Sequence, residues 1–316
     1  MEKFEFVREI VEEWGGEPDS LELVRDSINA VFRYREGAAY RFLRISKYWA
    51  PKKIVGAMDY LRFLWANGAP VCEPIASKNG RFIEYYTHHA PQERLHYRDR
   101  LQEADVARYI CRVYAESPGE TVTNRCTDPL IHEAWGRALA HLHNVAIHYQ
   151  PRPDLYFHSW EKEFNDTKRW LPAGDTAAWR EFERLQAWYQ SLEEVGAGFG
   201  VTHADCNAGN FVWNGRSITI IDFDEPMTNW FASDVARPFI EIEDFPLTLR
   251  RQLMVAFVNG YRQVRSLSDA TVASLPQFMR FKKLAFYAWE IGDCGTPHDD
   301  EDLIRLRNQF KNPVEW

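Results

Sequence analysis

The stretch His203–Glu225 reads HADCNAGNFVWNGRSITIIDFDE, and it constrains the chemistry of the whole chain. Asp205 stands two residues after a histidine, and Asn210 follows that aspartate by five. A β-branched run, Ile218-Thr219-Ile220-Ile221, leads straight into Asp222. Moving a phosphoryl group off a magnesium-bound nucleotide needs this set of groups. One carboxylate accepts the proton of the attacking hydroxyl, while an amide and a second carboxylate hold the metal against the phosphates. The pattern H-x-D-x-x-x-x-N, followed by a strand and Asp-Phe, is far more specific than a lone glycine motif. Asp205, Asn207 and Asn210 could each be a turn former in a polar loop. That reading would win for any one of them alone and loses to their joint spacing.

The segment resembles the aminoglycoside phosphotransferase and choline kinase family, whose signature runs H-G-D-x-H-x-x-N and then I-D-F or I-D-W. His203, Asp205, Asn210, Ile221, Asp222 and Phe223 stand in its places. Asp234 matches a later family aspartate that supports the lobe, and Leu139-Ala140-His141-Leu142-His143 resembles the family's Leu-His helix. The reading Leu43-Arg44-Ile45 is similar to branches containing homoserine kinases and spore-coat kinase-like proteins. The resemblance implies an α+β, bilobal protein-kinase-like fold, with a small N-terminal antiparallel-sheet lobe and a larger, mainly helical C-terminal lobe. It implies ATP and magnesium as cofactors and a small-molecule hydroxyl as acceptor, such as an aminoglycoside, an amino alcohol or a homoserine-like compound. Asp205 is then the catalytic base, and Asn210 and Asp222 are the magnesium ligands. His203, beside the base, is expected to shape the loop through its ring. Asp224 either orients its neighbours or faces the acceptor. A protein-kinase reading is disfavoured because neither Asp-Phe-Gly nor Ala-Pro-Glu follows Asp222.

Bulk properties agree with an enzyme of this kind. The 316 residues are 45% apolar, enough for two lobes with a real core. The net charge of −8 argues against nucleic acid or an anionic membrane as primary partner, since both select basic faces. The opening MEKFEFVREIVEEW is too charged for a signal peptide, and no apolar run is long enough to span a bilayer, so a cytoplasmic monomer or homodimer is expected. Five cysteines form no CxxC pair and read as reduced thiols. Cys206, beside the base, reads as a small filler with no activating partner.

Periodicity sets out the elements. Residues 4–14 have helical spacing and stop at Gly15-Gly16, while 21–34 and 39–46 read as strands. A helix is expected over 54–66 and two short strands between Val71 and Tyr86. Helical spacing then covers 99–116, 130–146, 160–170, 176–194, 246–264 and 274–292. The expected division is a nucleotide-binding lobe over 1–88 and a catalytic and substrate lobe over 89–316.

In the first lobe the match to the family is looser. The phosphate-covering loop within Arg25–Arg33 has no glycine, so Ser27 and Asn29 would supply its donors. Arg44 occupies the place of the phosphate-binding lysine, where a guanidinium can clamp phosphate bidentately. The helical glutamate that would pair with it falls on Ala57, with Asp59 nearby. Glu84 and Tyr86 lie where the resemblance puts the adenine-reading segment. These departures also admit a catalytically impaired kinase-like binding or scaffold protein. On the acceptor side, Glu241, Trp289, Glu290 and Asp293 would suit a cationic alcohol by charge and cation–π contact. Against this, Trp289 also reads as core, and the charge run 299–302 as a helix start.

Overall fold

A computed structural model describes residues 6–47, 50–88, 107–122, 126–193 and 198–311. They fall into two units: Met1–Pro118 with Pro151–Tyr156, and Gly119–Gln150 with Phe157–Trp316.

The first unit begins with helix α1 (Val7–Glu13), whose Val7, Ile10 and Val11 are buried at helical spacing. Strands β1 (Glu22–Asp26), β2 (Ala30–Glu36) and β3 (Ala39–Lys47) follow, then helix α2 (Pro51–Ala66), then β4 (Pro74–Ile75), β5 (Glu84–His88) and β6 (Ala107–Ala115). The sheet is antiparallel, in the order β1-β2-β3-β6-β4, with β5 also on β6. Phe32, Tyr34, Leu43 and Ile45 point to one face and pack against Phe6, Val7, Ile10, Val11 and Trp14. Trp14 Nε1 donates to the carbonyl of Ile75 at 3.1 Å, tying α1 to β4.

Of the expected helix over 99–116, residues 107–115 are instead β6, a strand; residues 99–106 lie outside the described residues. Tyr109, Cys111 and Val113 alternate onto the core under α1, while Ile110 and Arg112 are buried on the other face. A strand covered on both faces has no polar alternation, which is why period two is hidden in this sequence. With β6 in its sheet, the first unit extends to Pro118.

The second unit is mainly helical. It contains β7 (Glu120–Thr121), α3 (Pro129–Ala146), β8 (His158–Ser159), α4 (Trp160–Trp170) and α5 (Thr176–Gln190). After these come β9 (Phe199–Thr202), β10 (Phe211–Trp213), β11 (Ile218–Ile220) and β12 (Met227–Trp230), then α6 (Phe231–Ile240), α7 (Leu247–Arg262), α8 (Asp269–Gly292) and α9 (Glu301–Gln309). Two three-stranded sheets, β11-β10-β7 and β8-β12-β9, carry the loops of interest. Tyr189 anchors an aromatic cluster with Trp160, Phe164, Trp230, Phe278 and Phe281, fastening α4, α5 and α8 together. Among the described residues no helix is long and apolar enough to cross a membrane.

Candidate active site

The loop after β9 is built around a buried carboxylate. Asp234, in the first turn of α6, is fully buried and accepts backbone N–H bonds from His203 and Ala204, both at 2.7 Å. Nε2 of His143, on α3, faces the same carboxylate at 3.3 Å, and its Nδ1 meets the Tyr261 hydroxyl of α7 at 2.8 Å. Burial holds His143 below its ordinary pKa, so it is a neutral ring that donates to Asp234 and accepts from Tyr261. Burial alone would raise the Asp234 carboxyl, but His143 and the His203 backbone keep it below the usual range. The charge on Asp234 is thus satisfied by donors and fixes the start of the loop.

His203 does the second part of the fixing. Its Nε2 donates to the Ile221 carbonyl at 2.9 Å, its Nδ1 accepts from the Asp205 N–H at 3.3 Å, and its ring meets Phe223 edge-on at 4.5 Å. The ring therefore couples the Asp205 loop to the chain entering Asp222, in the shaping role expected of it. Cys206 is sealed in the interior, and burial pushes its thiol well above the ordinary range, so no thiolate nucleophile is present.

Asp205 itself is 38% exposed. Its Oδ2 accepts from Asn210 Nδ2 at 2.9 Å, and its Oδ1 lies 3.3 Å from Nη2 of Arg237. Arg237 forks, placing Nη1 3.3 Å from Glu241, whose other oxygen accepts the Ala208 N–H at 3.1 Å. Glu241 is therefore a brace beneath the loop; burial raises its carboxyl. Arg237 has no motif to mark it in the sequence, and it is the residue there that reading missed.

Asn210 and Asp222 sit at adjoining strand ends. Phe211 pairs with Ile220 across β10 and β11, and the Ile221 N–H reaches the Asn210 carbonyl at 2.9 Å. Asn210 directs its amide nitrogen to the Asp205 carbonyl and carboxylate, both at 2.9 Å, which leaves its side-chain oxygen for another partner. An amide oxygen beside a carboxylate is a hard-oxygen donor set of the kind magnesium takes, with waters and phosphates completing its shell. Asp222 has φ 65°, a left-handed conformation that aspartate tolerates better than most residues. Asp224 is half-buried two residues further on.

In the first unit, Ser27 and Asn29 form the tight β1–β2 turn, with the Ser27 N–H on the Asn29 carbonyl at 3.2 Å. Arg44 on β3 lies directly opposite Arg112 on β6, and opposed residues share a sheet face. Arg112 is buried and donates to Ser46 at 2.7 Å. Arg112 stayed hidden because its segment reads as helix. Ala57 is buried, and Asp59 lies 4.0 Å from Arg152, so α2 turns its acid to that residue. Glu84 is buried among Ser77, Asn79 and Arg81, at 2.6, 3.2 and 2.6 Å. Tyr86 stacks on Phe6 and bonds Glu9 at 2.9 Å. Both side chains are committed within the unit.

The acidic candidates for a cationic acceptor divide. Glu241 braces the loop, Glu290 accepts from Thr296 Oγ1 at 2.6 Å, and Asp293 is an exposed residue ending α8. Trp289 is half-buried, 6.0 Å from Phe286.

Residues 21–267 match the family described as the phosphotransferase enzyme family. Amicoumacin kinase of Bacillus subtilis (strain 168) is 22% identical over 314 residues, 95% of this chain and 89% of that relative. An amicoumacin kinase solved with AMP-PNP, Ca2+ and Ami shares the fold at TM-score 0.81 and 23% identity, covering 99% of this chain and 95% of that one. A microcompartment-associated aminopropanol kinase follows at 0.74 and 23%, covering 97% and 94%. These likenesses carry the α+β fold of the protein-kinase-like phosphotransferases. With its pinned aspartate loop inside the matched span, the chain belongs to the phosphotransferase enzyme family.

Proposed function

We propose that this enzyme transfers the γ-phosphoryl group of Mg-ATP to a hydroxyl of a small molecule, with Asp205 as the base. The observation that carries the reading is an exposed carboxylate oriented on both oxygens, by Asn210 and by Arg237, on a loop tied down by Asp234. Phosphoryl transfer rests mainly on positioning and charge neutralisation. In the step, the acceptor oxygen bonds the γ-phosphorus as the bond to the bridging β–γ oxygen breaks. ADP leaves, and the hydroxyl proton passes to Asp205. Asn210 and Asp222 would hold magnesium, which neutralises phosphate charge. The 27–29 turn and Arg44 would receive phosphates, the first unit acting as the nucleotide lobe and the second as the catalytic lobe. The side chains of Glu84 and Tyr86 are left out of this assignment.

Two measurements test the reading. Mg-ATP at 100-fold its Kd adds about 2.7 kcal/mol to stability, visible as a melting shift. That shift should need magnesium and disappear in Asp222→Ala; no shift in wild type at millimolar ATP would favour a kinase-like binding protein. Asp205→Asn should keep the shift while lowering kcat by about 10²–10⁴-fold, the usual contribution of a general base. Undiminished turnover in that variant would remove Asp205 from its role.

A further inference from the structure

Beside the Asp205 loop, and wholly within the second unit, lies a recess lined by Asn229 of β12, Arg237 of α6 and Glu163 of α4. Its room is about 20 Å³, which holds one water molecule and nothing larger. The side chains around it are unevenly supplied with partners. Asn229 is only 3% exposed, and its Oδ1 must accept, because the partner is the Trp230 N–H at 2.9 Å. Its amide nitrogen is thereby fixed as a donor, with the Met227 sulfur at 3.7 Å to receive it. A thioether is a weak acceptor, so most of that donor capacity is unmet. Nε of Arg237 is likewise buried, with no hydrogen-bond partner among the described residues, although both terminal nitrogens are engaged. Glu163 commits one carboxylate oxygen to Lys282 at 3.1 Å and has a second with which to accept.

Two unmet donors and an acceptor around space for one water match what a buried water needs, which is about three hydrogen bonds. We propose that Asn229 is a positioning residue for the base, acting through one bound water and Arg237. The water accepts from Nδ2 of Asn229 and Nε of Arg237 and donates to Glu163. Arg237 already reaches Asp205 through Nη2 and Glu241 through Nη1. All three nitrogens belong to one rigid plane, so a tie at Nε fixes the plane in which the other two contacts lie. Without that tie the guanidinium can turn about its last side-chain bond, and Oδ1 of Asp205 loses a fixed partner. The inference rests on the kinase reading above and extends the support of its base from the loop to β12.

A crystal structure of the wild-type protein that shows ordered water should place one molecule about 2.7–3.2 Å from both nitrogens. No water there, or a water touching one nitrogen alone, would overturn the inference. Kinetics then ask whether the bridge serves the base. Slow hydrolysis of Mg-ATP, in which solvent water stands in for the acceptor, gives a rate that needs no identified substrate. Asn229→Leu fills the space and removes the donor; it should lower kcat for hydrolysis about tenfold and leave the Mg-ATP melting shift unchanged. Arg237→Lys keeps the charge but has no Nε–H, so it removes the other end of the same bridge. In that background Asn229→Leu should cost nothing further, whereas a merely structural loss would recur in full. Losses that multiply would overturn the positioning role. If a variant does not fold, or hydrolysis is too slow to read, the wild-type structure decides. Absence of Mg-ATP binding would instead sink the kinase reading, and the water is read from the structure in either case.

Discussion

Ala204 and Asp222, the non-glycine residues with positive φ among those described, have φ 66° and 65° and flank the same site. Left-handed backbone costs an L-residue about 1–2 kcal/mol, and these two are held there by the Asp234 and His203 bonds around them. Ala204 stands where the family signature has glycine. Ala204→Gly removes the Cβ penalty and returns part of the gain through a more flexible unfolded chain. The expected net effect is a stabilisation of about 0.5–1 kcal/mol, read as a higher urea midpoint at unchanged slope. A lower midpoint would mean that Ala204 is not strained. His203→Ala cuts the Asp205 loop from Ile221, and a misplacement of about 1 Å lowers kcat on the order of 10²-fold. Steady-state kinetics with ATP varied should show the loss in kcat more than in KM. At this scale the spacing of Asp205, Asn210 and Asp222 was legible, because chemistry demands those types close together in the chain. Arg237 and the bracing role of Glu241 were not, since they reach the loop from distant sequence through no periodic pattern.

Elements were legible where one face alone is buried. α3, α4 and α7 show helical periodicity, and their observed spans lie close to the expected ones. β6 was misread because Ile110 and Arg112 are buried as well as Cys111 and Val113. α6 escaped notice because it is ten residues long and carries Pro238 inside it, a residue that normally argues against a helix interior. The α3–α7 contact contains a signal that becomes readable only in three dimensions. A Cβ at Gly260 would lie 1.9 Å from the Glu133 carbonyl, and one at Gly136 would lie 2.0 Å from that of Phe257. Both glycines are therefore spacers that let two backbones touch, and the obstacle is main chain that cannot rotate aside. Gly260→Ala should lower stability by about 1–3 kcal/mol, the range for overpacking, and drop the melting temperature by several degrees. Since His143 and Tyr261 sit on the same two helices and hold Asp234, activity should fall with it. A variant as stable as wild type would show that the helices can separate without loss.

Across the whole molecule, acid sensitivity follows from histidines that refuse protons. His132 and His143 are both buried on α3, and burial holds each below its ordinary value. Above about pH 6.5 the ring is neutral in folded and unfolded chains alike, and neither state gains. Below it the unfolded chain takes up protons that the native rings do not, so the equilibrium moves towards unfolding as pH falls. Each such group contributes a slope approaching about 1.4 kcal/mol per pH unit between its unfolded and folded values. Asp234, held low in the native state, adds its own loss at more acid pH, as its folded-state value is approached from above. Glu241 has the opposite sign, because burial raises its carboxyl and protonation favours the folded chain. The clean test is therefore a difference between two proteins. His132 bonds the Asp128 carbonyl through Nδ1 at 3.1 Å, and an asparagine amide nitrogen can occupy that place without titrating. Urea unfolding of wild type and His132→Asn between pH 7.5 and 5 should give curves that converge as pH falls, the variant losing stability less steeply by up to one proton's worth. Parallel curves would mean that His132 takes its proton in the native state, which would require the start of α3 to open to solvent without global unfolding.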